Sequence, residues 1–168
     1  MKVFIGKYPK NVHKERKVKI QIDPWDTWNM DNTLALIITP MLKQLKEKTH
    51  GAPLVADEDV PESLRRAAAP PTKNEWDTDD NYFKRWQWVM DEMIFAFESK
   101  NTDWEEQFWK VKPEIDLLAQ PKAEGQELLT ELLWKEKGEC DWEAWKMYED
   151  RMKNGFRLFG KYYQGLWD

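Results

Sequence analysis

The 168-residue chain carries a formal charge of −5, is 34% charged and 14% aromatic, and contains 11 Trp, two His and one Cys. That length suits a single domain able to close a core without disulfides or metals, and the lone Cys140 excludes an internal disulfide and a multi-cysteine zinc site. No apolar run is long enough to span a membrane and no secretory leader is read, so a soluble, cytoplasmic protein with no membrane partner is expected.

Residues 1–23 read as a basic β-ribbon. The strings KVFIGKY (2–8) and KVKIQID (17–23) alternate, with Val18, Ile20 and Ile22 on one face and Lys17, Lys19 and Gln21 on the other. The connection is longer than a tight hairpin turn, which fits an antiparallel pair. Seven Lys or Arg against Glu15 give residues 1–22 a charge of +6 and leave −11 on the remainder. Such a face can draw an anion; the plainer reading is that its lysines wet one side of the ribbon and discourage edge pairing. A lone two-stranded ribbon is marginal, so helices are expected to cover its apolar side.

Residues 24–50 carry the clearest helix. Met30, Leu34, Ile37, Ile38, Met41 and Leu45 form one stripe of a 3.6-residue period. Asp23, Asp26, Thr27 and Asn29 offer capping oxygens, Pro40 predicts a kink, and Gly51 suits a left-handed residue past the end. Residues 51–78 form a long Pro-rich loop; Leu54, Val55, Val60 and Leu64 predict that it packs down, with a helical turn near 61–68.

A second helix is expected over 79–99, where Tyr82, Trp86, Val89, Met90, Met93 and Phe97 make the stripe. Phe83, Trp88, Ile94 and Phe95 widen it, which places this helix at the centre of the fold or against a subunit. Residues 100–140 are mixed: a short helix near Trp104, a strand over 109–118 broken at Pro113, and a helical turn or two over 127–137 ended by Gly138. The last helix covers 141–166, capped by Asp141, with Trp145, Tyr148, Met152, Phe156, Phe159, Tyr163 and Leu166 at helical spacing. Gly155, Gly160 and Gly165 each mark close packing, a break or an approach of backbone to a ligand. The expected fold is α+β: a small N-terminal antiparallel β-ribbon covered by about three long amphipathic helices, one domain over 1–168.

Phosphate-loop, dinucleotide-binding, zinc-protease and serine-nucleophile signatures are absent, and adjacent acids such as Asp91/Glu92 read as solvated helix faces. No catalytic residue, metal ligand or cofactor is assigned, and a non-enzyme is expected. Aromatic and basic residues do recur together, as rings that stack a base and cations that hold phosphate would: Trp25, Trp28, Lys43, His50, Arg65 and Arg85 are the candidate ligand contacts. Against them, Trp at helical spacing is usually core.

Three blocks, IDPWDTWNMDNTLALIITPMLKQLKEKTHGAP with DEDVPESLR, DDNYFKRWQWVMDEMIFAFE, and RMKNGFRLFGKYYQGLWD, resemble a family of uncharacterised proteins encoded by tailed bacteriophages. The resemblance implies an accessory protein acting in the host bacterial cytoplasm, and brings no activity or catalytic residue. With the missing catalytic motifs it leads to a non-catalytic protein that binds and sequesters a small anionic nucleotide signal of host immunity. The alternatives are a protein–protein interaction or virion-associated protein, and a nucleic-acid accessory factor. A homo-oligomer is expected from the wide apolar surface of the second and third helices.

Overall fold

The computed structural model describes residues 1–10, 13–74, 76–119, 130–136 and 138–167. The elements run β1 (Lys2–Ile5), β2 (Val18–Gln21), α1 (Met30–Lys48), α2 (Tyr82–Ser99), β3 (Trp109–Val111), β4 (Glu114–Ala119), β5 (Thr130–Glu136), β6 (Glu139–Cys140) and α3 (Trp142–Lys161), an α+β arrangement. The strands pair as three separate antiparallel ribbons, β1–β2, β3–β6 and β4–β5.

α2 lies between α1 and α3, one of the two placements its wide apolar surface allows, and packs most extensively on α3. Trp86, Val89, Met90, Met93 and Phe97 are buried on it, and Phe97 meets Phe156 and Phe159 of α3 edge-on at 5.1 and 4.8 Å. Of the residues that widen its surface, Ile94 is buried and Trp88 and Phe95 are half-buried, while Phe83 is exposed. At the crossing, a Cβ on Gly155 would stand 2.3 Å from the Glu92 carbonyl and 2.6 Å from Ala96 Cβ. Only glycine lets the two backbones approach this closely.

The other helices present faces that differ from their sequence stripes. On α1, Ala35 and Leu42 are buried and Ile38 and Leu45 pack against the core, while Met30, Leu34 and Met41 are exposed. The buried face is rotated from the expected one by roughly a fifth of a turn. On α3, Met152, Gly155, Leu158 and Tyr162 face inward. Stripe-finding weights large residues, whereas close helix packing selects the small ones, Ala35 and Gly155, at the crossings.

The ribbon corrects one expectation. Its register pairs Val3 with Ile20 and Ile5 with Val18, but all eight strand residues are exposed, so the helices do not cover its apolar side. Asp23 caps a 3-10 turn at Pro24–Thr27 in a capping box with Asp26, ahead of α1. Gly51 is not a left-handed cap. α1 ends at an extended Thr49, and Gly51 instead makes room for Trp167, whose ring would lie 3.1 Å from an added Cβ. Gly165 likewise receives Pro53, while Gly160 faces open space.

The long loop does pack down, on Val55, Val60 and the half-buried Leu64, although Leu54 is exposed. Its expected helical turn splits into two 3-10 turns, Glu62–Leu64 and Arg66–Ala68, because Arg65 between them is extended. The short helix near Trp104 is a 3-10 turn, Trp104–Phe108, and the strand broken at Pro113 appears as β3 and β4. The helical turns expected within 127–137 are replaced by strand β5, antiparallel to β4; residues 127–129 and 137 lie outside the described residues. Leucine-rich segments have no strong intrinsic preference against pairing, and a partner strand decides them.

Candidate functional site

The six candidate ligand residues are not brought together. Trp25 and Trp28 precede α1 as an exposed pair, ring centres 6.1 Å apart. Lys43 lies about 20 Å further along the same helix at 1.5 Å per residue, in an exposed ion pair with Glu98, and His50 is exposed just past the helix end. Arg65 pairs with Glu62 at 3.5 Å. Arg85 is 1% exposed. Its guanidinium forks onto Asp79 at 2.9 and 2.6 Å and donates to the Leu64 carbonyl at 3.1 Å, pinning the long loop to α2. Arg85 thus serves the fold. Its bond holds the Asp79 carboxyl below the usual aspartate range, against the opposing effect of burial.

Two further buried charges have internal partners. Glu92 takes Arg151 bidentately, at 2.7 to 3.1 Å, with the guanidinium 3.8 Å over the Phe95 ring. Asp59 is held by Lys161 at 2.5 Å, Tyr162 at 2.6 Å and Arg157 at 2.7 Å. Burial and the neighbouring Asp141 push the Cys140 thiol up, away from the thiolate a nucleophile needs. Among the described residues no group of three His, Cys, Asp or Glu could hold a metal, and no helix is long and apolar enough to cross a membrane.

Three surface features remain. One is a strip. Cross-strand partners share a face, so Val3, Ile20, Ile5 and Val18 form a continuous aliphatic side of the ribbon, 40 to 57% exposed. The opposite side carries Lys2, Phe4, Lys19 and Gln21. The Met1 ammonium binds Asp26 at 2.8 Å, which ties the ribbon to the turn bearing Trp25 and Trp28, 77 and 79% exposed. Met30 and Leu34, at the start of α1, are exposed as well.

The second is an open apolar groove of about 780 Å³ between α1 and the end of α3, lined by Ile38, Met41, Leu45, Phe159, Tyr163 and Leu166 among others. The third is a cleft of about 510 Å³ where α1, at Pro40, faces the C-terminal end of α2 and Tyr148 of α3. The ribbon was visible in the sequence as alternation; its bareness was not, because alternation says which residues share a face and not what lies over them. Searches against protein-family models, curated proteins and solved structures found no match.

Proposed function

We propose that this is a non-catalytic phage accessory protein that acts in the host cytoplasm by binding another protein, through the strip formed by the β1–β2 ribbon, Trp25, Trp28 and the start of α1. The observation that carries the reading is the bare aliphatic side of the ribbon, Val3, Ile5, Val18 and Ile20. A two-stranded ribbon without a covered face is marginal in water, and contiguous exposed apolar surface marks interaction sites. Tryptophans at its margin supply the large, rigid contact area that dominates binding energies. The lysines on the opposite side speed encounter with an acidic surface. A homo-oligomer built on the same strip is one form of this binding.

Sequestration of a nucleotide draws less support from this geometry, since Lys43, Arg65 and Arg85 are engaged by Glu98, Glu62 and Asp79. The nucleic-acid reading rests on the same ribbon cations and is separated by salt, since DNA affinity falls steeply between 50 and 200 mM.

The test compares wild type with Ile20→Asp, by light scattering and by capture from infected cells. The reading holds if a stoichiometric protein partner, or a second copy, accompanies wild type and is lost in the variant at unchanged melting temperature. It fails if wild type is monomeric and retains no protein, or if the variant retains the same one.

A further inference from the structure

The cleft beside Pro40 has a lining whose hydrogen-bond capacity is lopsided. Pro40 has no N–H to give the Leu36 carbonyl, the bond an uninterrupted helix would make, and both residues line the cleft. Thr39, between them in space and sequence, has a hydroxyl shielded from water and without a partner. The facing wall is the C-terminal end of α2, where the Glu98 and Ser99 carbonyls already accept the Asn101 and Thr102 amides and the end of the helix dipole adds partial negative charge.

The hydroxyl protons on that wall are already committed inward. Ser99 Oγ donates to the Phe95 carbonyl at 2.7 Å, so in its 2.8 Å contact with Tyr148 the phenol must be the donor. Thr102 Oγ1 donates to the Ser99 carbonyl at 3.1 Å. What Ser99, Tyr148 and Thr102 have left is lone pairs. Glu98 adds a carboxylate whose only charged partner among the described residues is Lys43, in a pair half exposed at both ends. Such exposed pairs contribute at most about 1 kcal/mol, so Lys43 is readily exchanged for another cation. Ala35, Leu36, Pro40 and Phe95 supply apolar wall.

We propose that this cleft binds a small organic cation, an alkylammonium or alkylguanidinium, whose N–H groups are accepted by the Leu36 carbonyl and the Glu98 carboxylate while its alkyl part lies on Pro40 and Ala35. Apart from the Thr39 hydroxyl and the Asn101 amide the lining offers acceptors, and such a lining favours a ligand that brings donors, as ammonium and guanidinium groups do without offering an acceptor in return. Its volume is within the ~300–1,000 Å³ range of small-molecule sites. The inference is independent of the ribbon and stands or falls without it.

The experiment titrates the intact protein at constant ionic strength with butylammonium, butylguanidinium, Nα-acetyl-lysinamide and tetramethylammonium, followed by amide chemical shifts. The expected result is saturable binding of the N–H-bearing cations, with shifts at Leu36, Thr39, Glu98 and Thr102, and none for tetramethylammonium. Preference for acetyl-lysinamide over butylammonium assigns the natural source to a protein side chain; the reverse assigns it to a free amine. Pro40→Ala, which restores a partner to the Leu36 carbonyl, and Glu98→Gln should each weaken binding roughly five-fold, the scale of one hydrogen bond. Both changes are mild for folding, and the melting temperature checks that. The proposal is overturned by non-saturating shifts, by equal binding of tetramethylammonium, or by both variants binding as wild type does.

Discussion

The phenol of Tyr162 donates to the buried carboxylate of Asp59 at 2.6 Å and accepts the Ala56 amide at 3.0 Å, tying the end of α3 to a loop 103 residues earlier. Lys161 and Arg157 converge on the same carboxylate. One hydroxyl thus satisfies an amide and a carboxylate that otherwise have poor access to water. Tyr162→Phe keeps the ring against Trp86 but takes the acceptor from the Ala56 amide and leaves Asp59 with Lys161 and Arg157 alone, and should cost about 1–3 kcal/mol, measured by urea unfolding.

The same carboxylate sets an acid limb. Burial pushes the Asp59 pKa up, but the bonds from Lys161 and Tyr162 and the Arg157 guanidinium outweigh it and hold the group below its ordinary value. A folded-state pKa below the unfolded one stabilises the protein above the ordinary aspartate range, near pH 4, and that contribution disappears as pH falls through the lowered value. Stability measured from pH 6 down to pH 2 should therefore decline more gently in Asp59→Asn than in wild type, from a lower starting point. Parallel curves would remove Asp59 from the acid transition.

Gly155 and Gly160 occupy the same helix and should respond oppositely to alanine. At Gly155 the new methyl meets the Glu92 carbonyl and Ala96, neither of which is a flexible chain end. Gly155→Ala must separate α2 from α3, at a cost of about 1–3 kcal/mol or more. At Gly160 nothing lies within 4 Å, so Gly160→Ala should stabilise by about 0.5–1 kcal/mol through the unfolded chain. Paired thermal melts decide this.

Removing one partner from the Arg85–Asp79 fork should harm more than removing both. Asp79→Ala leaves a guanidinium in the core with one carbonyl partner, a loss of about 3–5 kcal/mol. Arg85→Met with Asp79→Ala should recover much of it. A double variant no more stable than Asp79→Ala alone would show that the fork is needed for the loop's position and not only for its own charge.

The ribbon and the core should differ sharply in their tolerance of truncation. Leu158 is fully buried, and Leu158→Ala should cost about 2–5 kcal/mol. Ile20→Ser, on the bare side of the ribbon, should change the melting point little, within about 0.5 kcal/mol. A large loss from Ile20→Ser would mean the ribbon is covered in solution, by the body or by a second copy, which a concentration series would distinguish.

Composition and periodicity determined a good deal here. The α+β class, the basic ribbon, the three helices and the break at Pro113 all follow from local signals: alternation, a 3.6-residue repeat in large apolar side chains, and proline's missing amide. Those signals are carried by the chain's own covalent geometry, so they survive without knowledge of what packs where. They fail where the deciding partner is distant in sequence. Residues 130–136 became a strand because β4 lies beside them; Arg85 became a core residue because Asp79 neutralises it and the Leu64 carbonyl accepts from it; Gly51 made way for Trp167, 116 positions later. The acceptor-lined cleft is of the same kind, since Pro40 and Ser99 carry no sign in the sequence that one's missing donor faces the other's committed one. Only tertiary packing decides which donors are used up and which faces stay bare, because burial and hydrogen-bond satisfaction are properties of neighbours in space.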